Sequence, residues 1–238
     1  MQNVEPDNVD TLKSDAPAMT SPHQAQIEYH NELARKAIHV FSIAIPLIYY
    51  HITKKLALVL LTILFLGFFT VDAVKMFSKP IAAWYFKTFG SLLRPHEKDE
   101  KKKQFNGATF VTLSALLTVA IFPKIIAIAA FAILIVADTA AALVGRKWGK
   151  RPLFSKTVEG STAFLVAAIL VVVLTPNLNL AIGIGLALVA TIAEVIPLRI
   201  FGYTIDDNLV IPLAAATFAY VCYLVFLPNE FALLRVGE

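Results

Sequence analysis

A single cysteine, Cys222, stands in 238 residues, so no disulfide can form within the chain. It lies inside an apolar run and reads as a packed small residue. No paired Cys and His at zinc spacing occur. Charge is scarce as well: Asp, Glu, Lys and Arg make up 16% of the chain, and 58% is hydrophobic. A soluble domain carries about 25% charged and about 45–50% apolar residues, so an ordinary soluble domain is excluded. No G-x-x-x-x-G-K-[ST] loop and no protein-kinase motif set is present, which excludes the usual soluble nucleotide-binding frames. Residues 1–30 lack the charged and apolar regions of a cleaved signal. They carry Glu5, Asp7, Asp10 and Asp15 and no Arg, unlike an organelle transit peptide. They read as a disordered polar tail.

What is present is a series of apolar runs of near-membrane length. A spanning helix needs about 20 apolar residues. Seven candidates fall at 37–52, 56–75, 106–122, 125–144, 161–176, 179–198 and 208–227. The expected fold is all-α: a polytopic integral membrane protein of about seven transmembrane helices in one domain, 31–228, with a short C-terminal tail over 229–238. Mean hydropathy is +0.70 and net charge +4. That positive balance reflects basic cytoplasmic loops and does not point to a nucleic-acid polymer. Arg35 and Lys36 precede the first run, and Lys75 to Lys103 follow the second. Arg146 to Lys156 follow the fourth, and Arg199 the sixth. The opposite side has Lys54, Lys55, Lys124 and Arg235. This asymmetry places the N-terminus in the cytoplasm. Segment 79–94, with Trp84, Tyr85, Phe86 and Phe89 among charges, reads as an interfacial amphipathic helix.

Charges at the ends of apolar runs are functional suspects. A transporter keeps such charges near the bilayer midplane. Here they gather at one interface, which suits an enzyme acting there on a lipid head with a water-soluble co-substrate. Glu32, Arg35, Lys36 and His39 share one helix face. A lysine and an arginine can anchor a first span, but His39 lies one turn further in. Asp72 and Lys75 can pair locally at the end of the second run, and Asn106 can cap the third. Asp138 lies about two turns before the basic loop, beside a small-residue face of Ala141, Ala142 and Gly145 that lets a helix or a ligand approach closely. The loop Gly145-Arg146-Lys147-Trp148-Gly149-Lys150-Arg151 and the stretch Ser155-Lys156-Thr157-Val158-Glu159-Gly160-Ser161 combine glycines, hydroxyls and lysines ahead of a helix, a setting that attracts phosphate. Glu194, Asp206 and Asp207 reach the same interface. Carboxylates beside a phosphate cradle suit Mg²⁺, which takes one or two of them plus substrate phosphates.

Three stretches then carry a resemblance: Glu32-x-x-Arg35-Lys36-x-x-His39; Asp138 through Gly145-Arg146-x-x-Gly149, followed by Ser155-Lys156-Thr157-x-Glu159-Gly160-Ser161; and Glu194-x-x-Pro197 with Asp207-Asn208-x-x-x-Pro212. In this order the chain resembles the dolichol kinase, phytol kinase and CTP-dependent diacylglycerol kinase family of membrane lipid kinases. The resemblance implies transfer of the γ-phosphoryl of CTP to the hydroxyl of a lipid alcohol, whether phytol, a polyprenol or diacylglycerol, with Mg²⁺ as cofactor. It implies phosphate binding by Asn106, Gly145, Arg146, Lys147, Gly149, Lys156, Glu159 and Gly160. It also implies catalytic roles for Arg35, Lys36, His39 and Asp138, and metal binding by Asp138 with Glu194 or Asp207. Either His39 or an acid would accept the hydroxyl proton. The length and the missing transit peptide imply a prokaryotic inner-membrane member with its site facing the cytoplasm. A more distant likeness, in Asp138–Gly149 and Lys156–Gly160, is to CTP:phosphatidate cytidylyltransferases. A transporter or lipid-binding membrane protein is the reading from outside enzymes.

Overall fold

A computed structural model describes residues 36–37, 39–90, 105–200 and 203–235. Arg35 and the charge run from His96 to Lys103 lie outside them. After a helical turn at 39–41 come α1 (Ala44–His51), α2 (Lys54–Phe77), α3 (Lys79–Phe89), α4 (Gly107–Ile121) and α5 (Lys124–Trp148). The chain continues through α6 (Val158–Leu174), α7 (Leu180–Val195) and α8 (Asp207–Phe226) to a 3-10 segment, Pro228–Arg235. Short polar side chains cap α2, α4, α6, α7 and α8. Thr53, Asn106, Thr157, Asn179 and Asp206 each accept a hydrogen bond from a backbone N–H of the first turn.

Three helices, α2, α5 and α8, are long and apolar enough to cross a membrane; α4, α6 and α7 are shorter and apolar. α5 is the axis of the bundle. Ile126, Ala129, Ala130, Ile133, Leu134 and Ala137 are fully buried on it, and α1, α4, α6, α7 and α8 pack around it. α2 has the same hydropathy but is peripheral, and its Leu56, Val59, Leu60, Ile63 and Leu66 face outward. An outer helix that is apolar all round suits a lipid surround. A helix, α3, forms within the segment 79–94, with Trp84 exposed and Tyr85 buried.

At one end of the bundle the Lys54 ammonium donates to the Phe122 carbonyl, Lys124 donates to the Ile52 carbonyl, and the Asn179 N–H donates to the Tyr223 hydroxyl. These contacts tie together the turns before α2, α5 and α7 and the end of α8. The opposite end carries two features that the sequence did not announce. Two-residue antiparallel ribbons form there, β1 (Pro152–Leu153) with β2 (Lys156–Thr157), and β3 (Arg199–Ile200) with β4 (Tyr203–Thr204). Ribbons this short leave no alternating pattern to read. At the Lys54 and Lys124 end, residues 229–235, expected as part of a tail, fold back. Leu234 is fully buried and Phe231 meets the Tyr220 ring edge-on.

Candidate functional site

The ribbon end gathers ionisable side chains from the first helical turn, α5, β2, α7 and α8. Lys36 places its ammonium on the Asp138 carboxylate, with the Asp138 carbonyl 3.4 Å away. His39 Nε2 stands 3.6 Å from the same carboxylate oxygen, Oδ2. The spacing of three between Lys36 and His39 brings both to one acid. Lys36 and His39 are 8% and 12% exposed and Asp138 20%, so the trio is nearly withdrawn from water yet reachable from it.

A close crossing of α5 and α6 sets the next group. A Cβ on Gly160 would stand 3.1 Å from the Ala141 carbonyl oxygen and 3.3 Å from Gly145 Cα. The expected small-residue face therefore admits a helix. Gly145 and Gly160 serve the approach of α5 to α6 and bring β2 beside Asp138. From β2, Lys156 reaches Glu194 Oε1 at 3.0 Å and Asp207 Oδ2 at 3.3 Å. Glu194 is buried on α7, and its other oxygen accepts from Ser161 Oγ at 3.4 Å. Ser161 belongs to the motif quoted above but was not among the expected site residues. Burial pulls the Lys156 ammonium down. Asp207 and Glu194, with Asp138 further off, more than offset this and hold its pKa above the usual lysine value.

Three carboxylates (Asp138, Glu194, Asp207) thus face two ammonium groups (Lys36, Lys156). With His39 neutral the group has one net negative charge. Among the described residues no three acids, His or Cys converge as ready metal ligands. The carboxylate oxygens are the donor type that Mg²⁺ takes. The Glu194–Asp207 pair fits such an ion on condition that Lys156 moves aside.

The basic loop surrounds this group. Arg146 and Lys147 are exposed at the end of α5, with Lys147 Nζ 4.7 Å from the centre of the Trp148 ring. Glu159 accepts from the backbone N–H groups of Lys150 and Arg151 at 3.1 and 3.3 Å, so it organises the loop. Gly149 lies against Thr157, where a Cβ would come within 2.8 Å of its methyl carbon.

Asn106 belongs to a different cluster. It caps α4 and donates its backbone N–H and Nδ2 to Asp72 at 2.7 and 3.0 Å; Nδ2 also reaches the Tyr85 hydroxyl at 2.8 Å. Asp72 is fully buried and also accepts from Lys75 at 2.6 Å and Thr109 Oγ1 at 2.7 Å. Lys75 Nζ stands 4.6 Å from the centre of the Tyr85 ring. The local pair read between Asp72 and Lys75 is real, but it is the hub that fastens α2, α3 and α4 together.

The chain is 28% identical over 146 residues to a CTP-dependent diacylglycerol kinase of Schizosaccharomyces pombe, covering 58% of this chain and 64% of that protein. The chain is also 29% identical over 192 residues to an uncharacterised protein of Rickettsia prowazekii, covering 79% of this chain and 92% of that one. No family model and no solved structure matches. The chain spans less than two thirds of the kinase's length.

Proposed function

We propose that this protein transfers the γ-phosphoryl group of CTP to the hydroxyl of a membrane lipid alcohol at the cytoplasmic face of a prokaryotic inner membrane. The observation that carries this reading is the meeting of Lys36 and His39 with Asp138, beside Lys156, Glu194 and Asp207, at one end of an apolar helical bundle. A lipid embedded between helices can bring its headgroup to that end, and a nucleotide can enter from water. The likeness to a CTP-dependent diacylglycerol kinase supports the same choice. The bundle would be a seven-span domain over 31–228.

In the reaction the lipid oxygen bonds to the γ-phosphorus, the bridge to the β-phosphate breaks, CDP leaves, and the hydroxyl proton passes to the protein. Arg35 and Lys36 stabilise charge on the transferred group, while Arg146, Lys147 and Lys156 hold phosphates. His39 or a neighbouring acid takes the proton. Mg²⁺, held by carboxylates drawn from Asp138, Glu194 and Asp207, would supply charge neutralisation on the phosphates. The loop glycines and Glu159 shape the surface on which phosphates lie, and Asn106 acts from the adjoining cluster.

Detergent-purified protein incubated with γ-labelled CTP, Mg²⁺ and phytol, a polyprenol or diacylglycerol, with ATP as a parallel donor, tests this. Label in a lipid monophosphate is the expected result and names the alcohol. Labelled pyrophosphate with a CDP-lipid would establish nucleotidyl transfer instead. Absence of turnover with every pair would favour a transporter or lipid-binding protein.

A further inference from the structure

We propose that the Lys156 ammonium and a divalent cation compete for the same two carboxylates, Glu194 and Asp207, so that the cation takes the pair more readily when phosphate draws Lys156 away. This rests on the reading above only in assigning the phosphate to a nucleotide. The competition itself follows from distances. Lys156 Nζ lies 3.0 Å from Glu194 Oε1 and 3.3 Å from Asp207 Oδ2, between the two acids. Mg²⁺ takes oxygens at about 2.0–2.1 Å. An ion at that point would draw each oxygen inward by about 1 Å and leave no room for the ammonium. One position therefore serves two cations, and only one can occupy it.

The anchoring of the three side chains decides which one moves. Glu194 is buried on α7 and its second oxygen is held by Ser161 Oγ. Asp207 has 36% of its side chain open, but its short stem is fixed in the first turn of α8, next to the capping residue Asp206. Lys156 stands on a two-residue strand beside an exposed turn, with 29% of its side chain open, on a flexible four-carbon stem. The lysine is the mobile partner, and the exposed Arg146 and Lys147 mark the side from which an anion arrives. Charge favours the exchange. Among the described residues three carboxylates, with His39 neutral, outnumber two ammonium groups, and moving Lys156 onto phosphate leaves its former pair in want of a cation. Binding of polyphosphate and metal are then coupled, and by linkage each raises the affinity for the other.

The test uses Mn²⁺ as the probe on detergent-purified full-length protein, read by the EPR signal of free Mn²⁺ without nucleotide or lipid. Lys156→Met should bind Mn²⁺ roughly tenfold more tightly than wild type, within the usual range of coupling between ligands. Lys156→Arg, which keeps the competing charge, should stay near wild type. Adding Asp207→Asn to Lys156→Met should abolish the gain. Equal or weaker binding by Lys156→Met, or a gain that survives Asp207→Asn, would overturn the proposal. Should Lys156→Met fail to fold, wild type answers the same question. Saturating Mn²⁺ should speed acetylation of Lys156 by an amine reagent, measured by peptide mass spectrometry, and an unchanged rate refutes the competition. None of these readouts involves CTP or a lipid. A positive result with an inactive kinase assay, or the reverse, therefore separates the two claims.

Discussion

Removing the Asp138 carboxylate strips a nearly buried ammonium, Lys36, of its acid while the lysine stays in place. Breaking a buried pair from one side costs about 3–5 kcal/mol, because the surviving charge has lost water as well as its partner. A fifth of the Asp138 side chain reaches solvent, so about 2 kcal/mol is the appropriate expectation for Asp138→Ala, and a similar cost follows for Lys36→Met. The double variant leaves neither charge behind. Its cost should fall below the sum of the singles by about 1–2 kcal/mol, a coupling of the size seen between residues in contact. Equilibrium unfolding of the four proteins in one detergent supplies these numbers. Phosphoryl transfer, measured on the same four samples, should be lost in all three variants. Recovered stability without recovered activity separates a chemical role for the pair from a structural one. Full activity in Asp138→Ala, or activity returning in the double variant, would refute the role given to this acid.

Three further outcomes follow from the same geometry. Asp72→Ala should destabilise by about 3–5 kcal/mol, since it leaves Lys75 without its buried acid and Asn106 and Thr109 without their acceptor; unfolding curves would show it, and a loss under 1 kcal/mol would contradict the hub. Gly160→Val should cost about 1–3 kcal/mol through overpacking of the α5–α6 crossing and lower activity by displacing Lys156; melting curves beside the transfer assay check both. Lys156 has a raised pKa in the fold, so its pairs stabilise fully below the unfolded lysine value of about 10.4 and lose their effect as pH rises through the higher folded value. The stability difference between wild type and Lys156→Met should therefore be flat from about pH 6 to 9 and shrink only above about pH 10.4.

The helices were legible because membrane-length apolar runs bounded by short polar residues leave few alternatives. Helix ends fall within a few residues of the expected runs, except at the first, where α1 begins at Ala44 after a helical turn. Which helix forms the axis was not legible. α2 and α5 share one hydropathy, 2.4, yet 17% of the apolar window is buried on α2 and 61% on α5. Apolarity reports a dry environment and does not say whether lipid or protein supplies it. The alanines of α5, which let neighbours approach, carry the difference. In the site, Lys36, His39 and Asp138 stood out one by one because charge in an apolar run is costly. Their meeting links positions 102 residues apart, and no local spacing encodes that contact. Asn106 shows the reverse case. Its capping role was readable, but its bonds to Asp72 and Tyr85 depend on how α2, α3 and α4 pack.

The two charged clusters differ in a way that bears on what each does. Around Asp72 one acid meets one base, and an amide, a hydroxyl and a backbone N–H complete its shell. A buried group satisfied that fully resists change, because any movement exposes a desolvated charge. It holds α3 in place through Tyr85. Around Asp138, among the described residues, three acids face two lysines and a histidine, and both ammonium groups ride on flexible stems at one end of the bundle, the Lys156 side chain 29% exposed. Such a cluster gains by taking in a cation and by handing its lysines to phosphate. The fold therefore keeps both a fastened charge network and a loosely balanced one, and the proposed phosphoryl transfer would draw on the second.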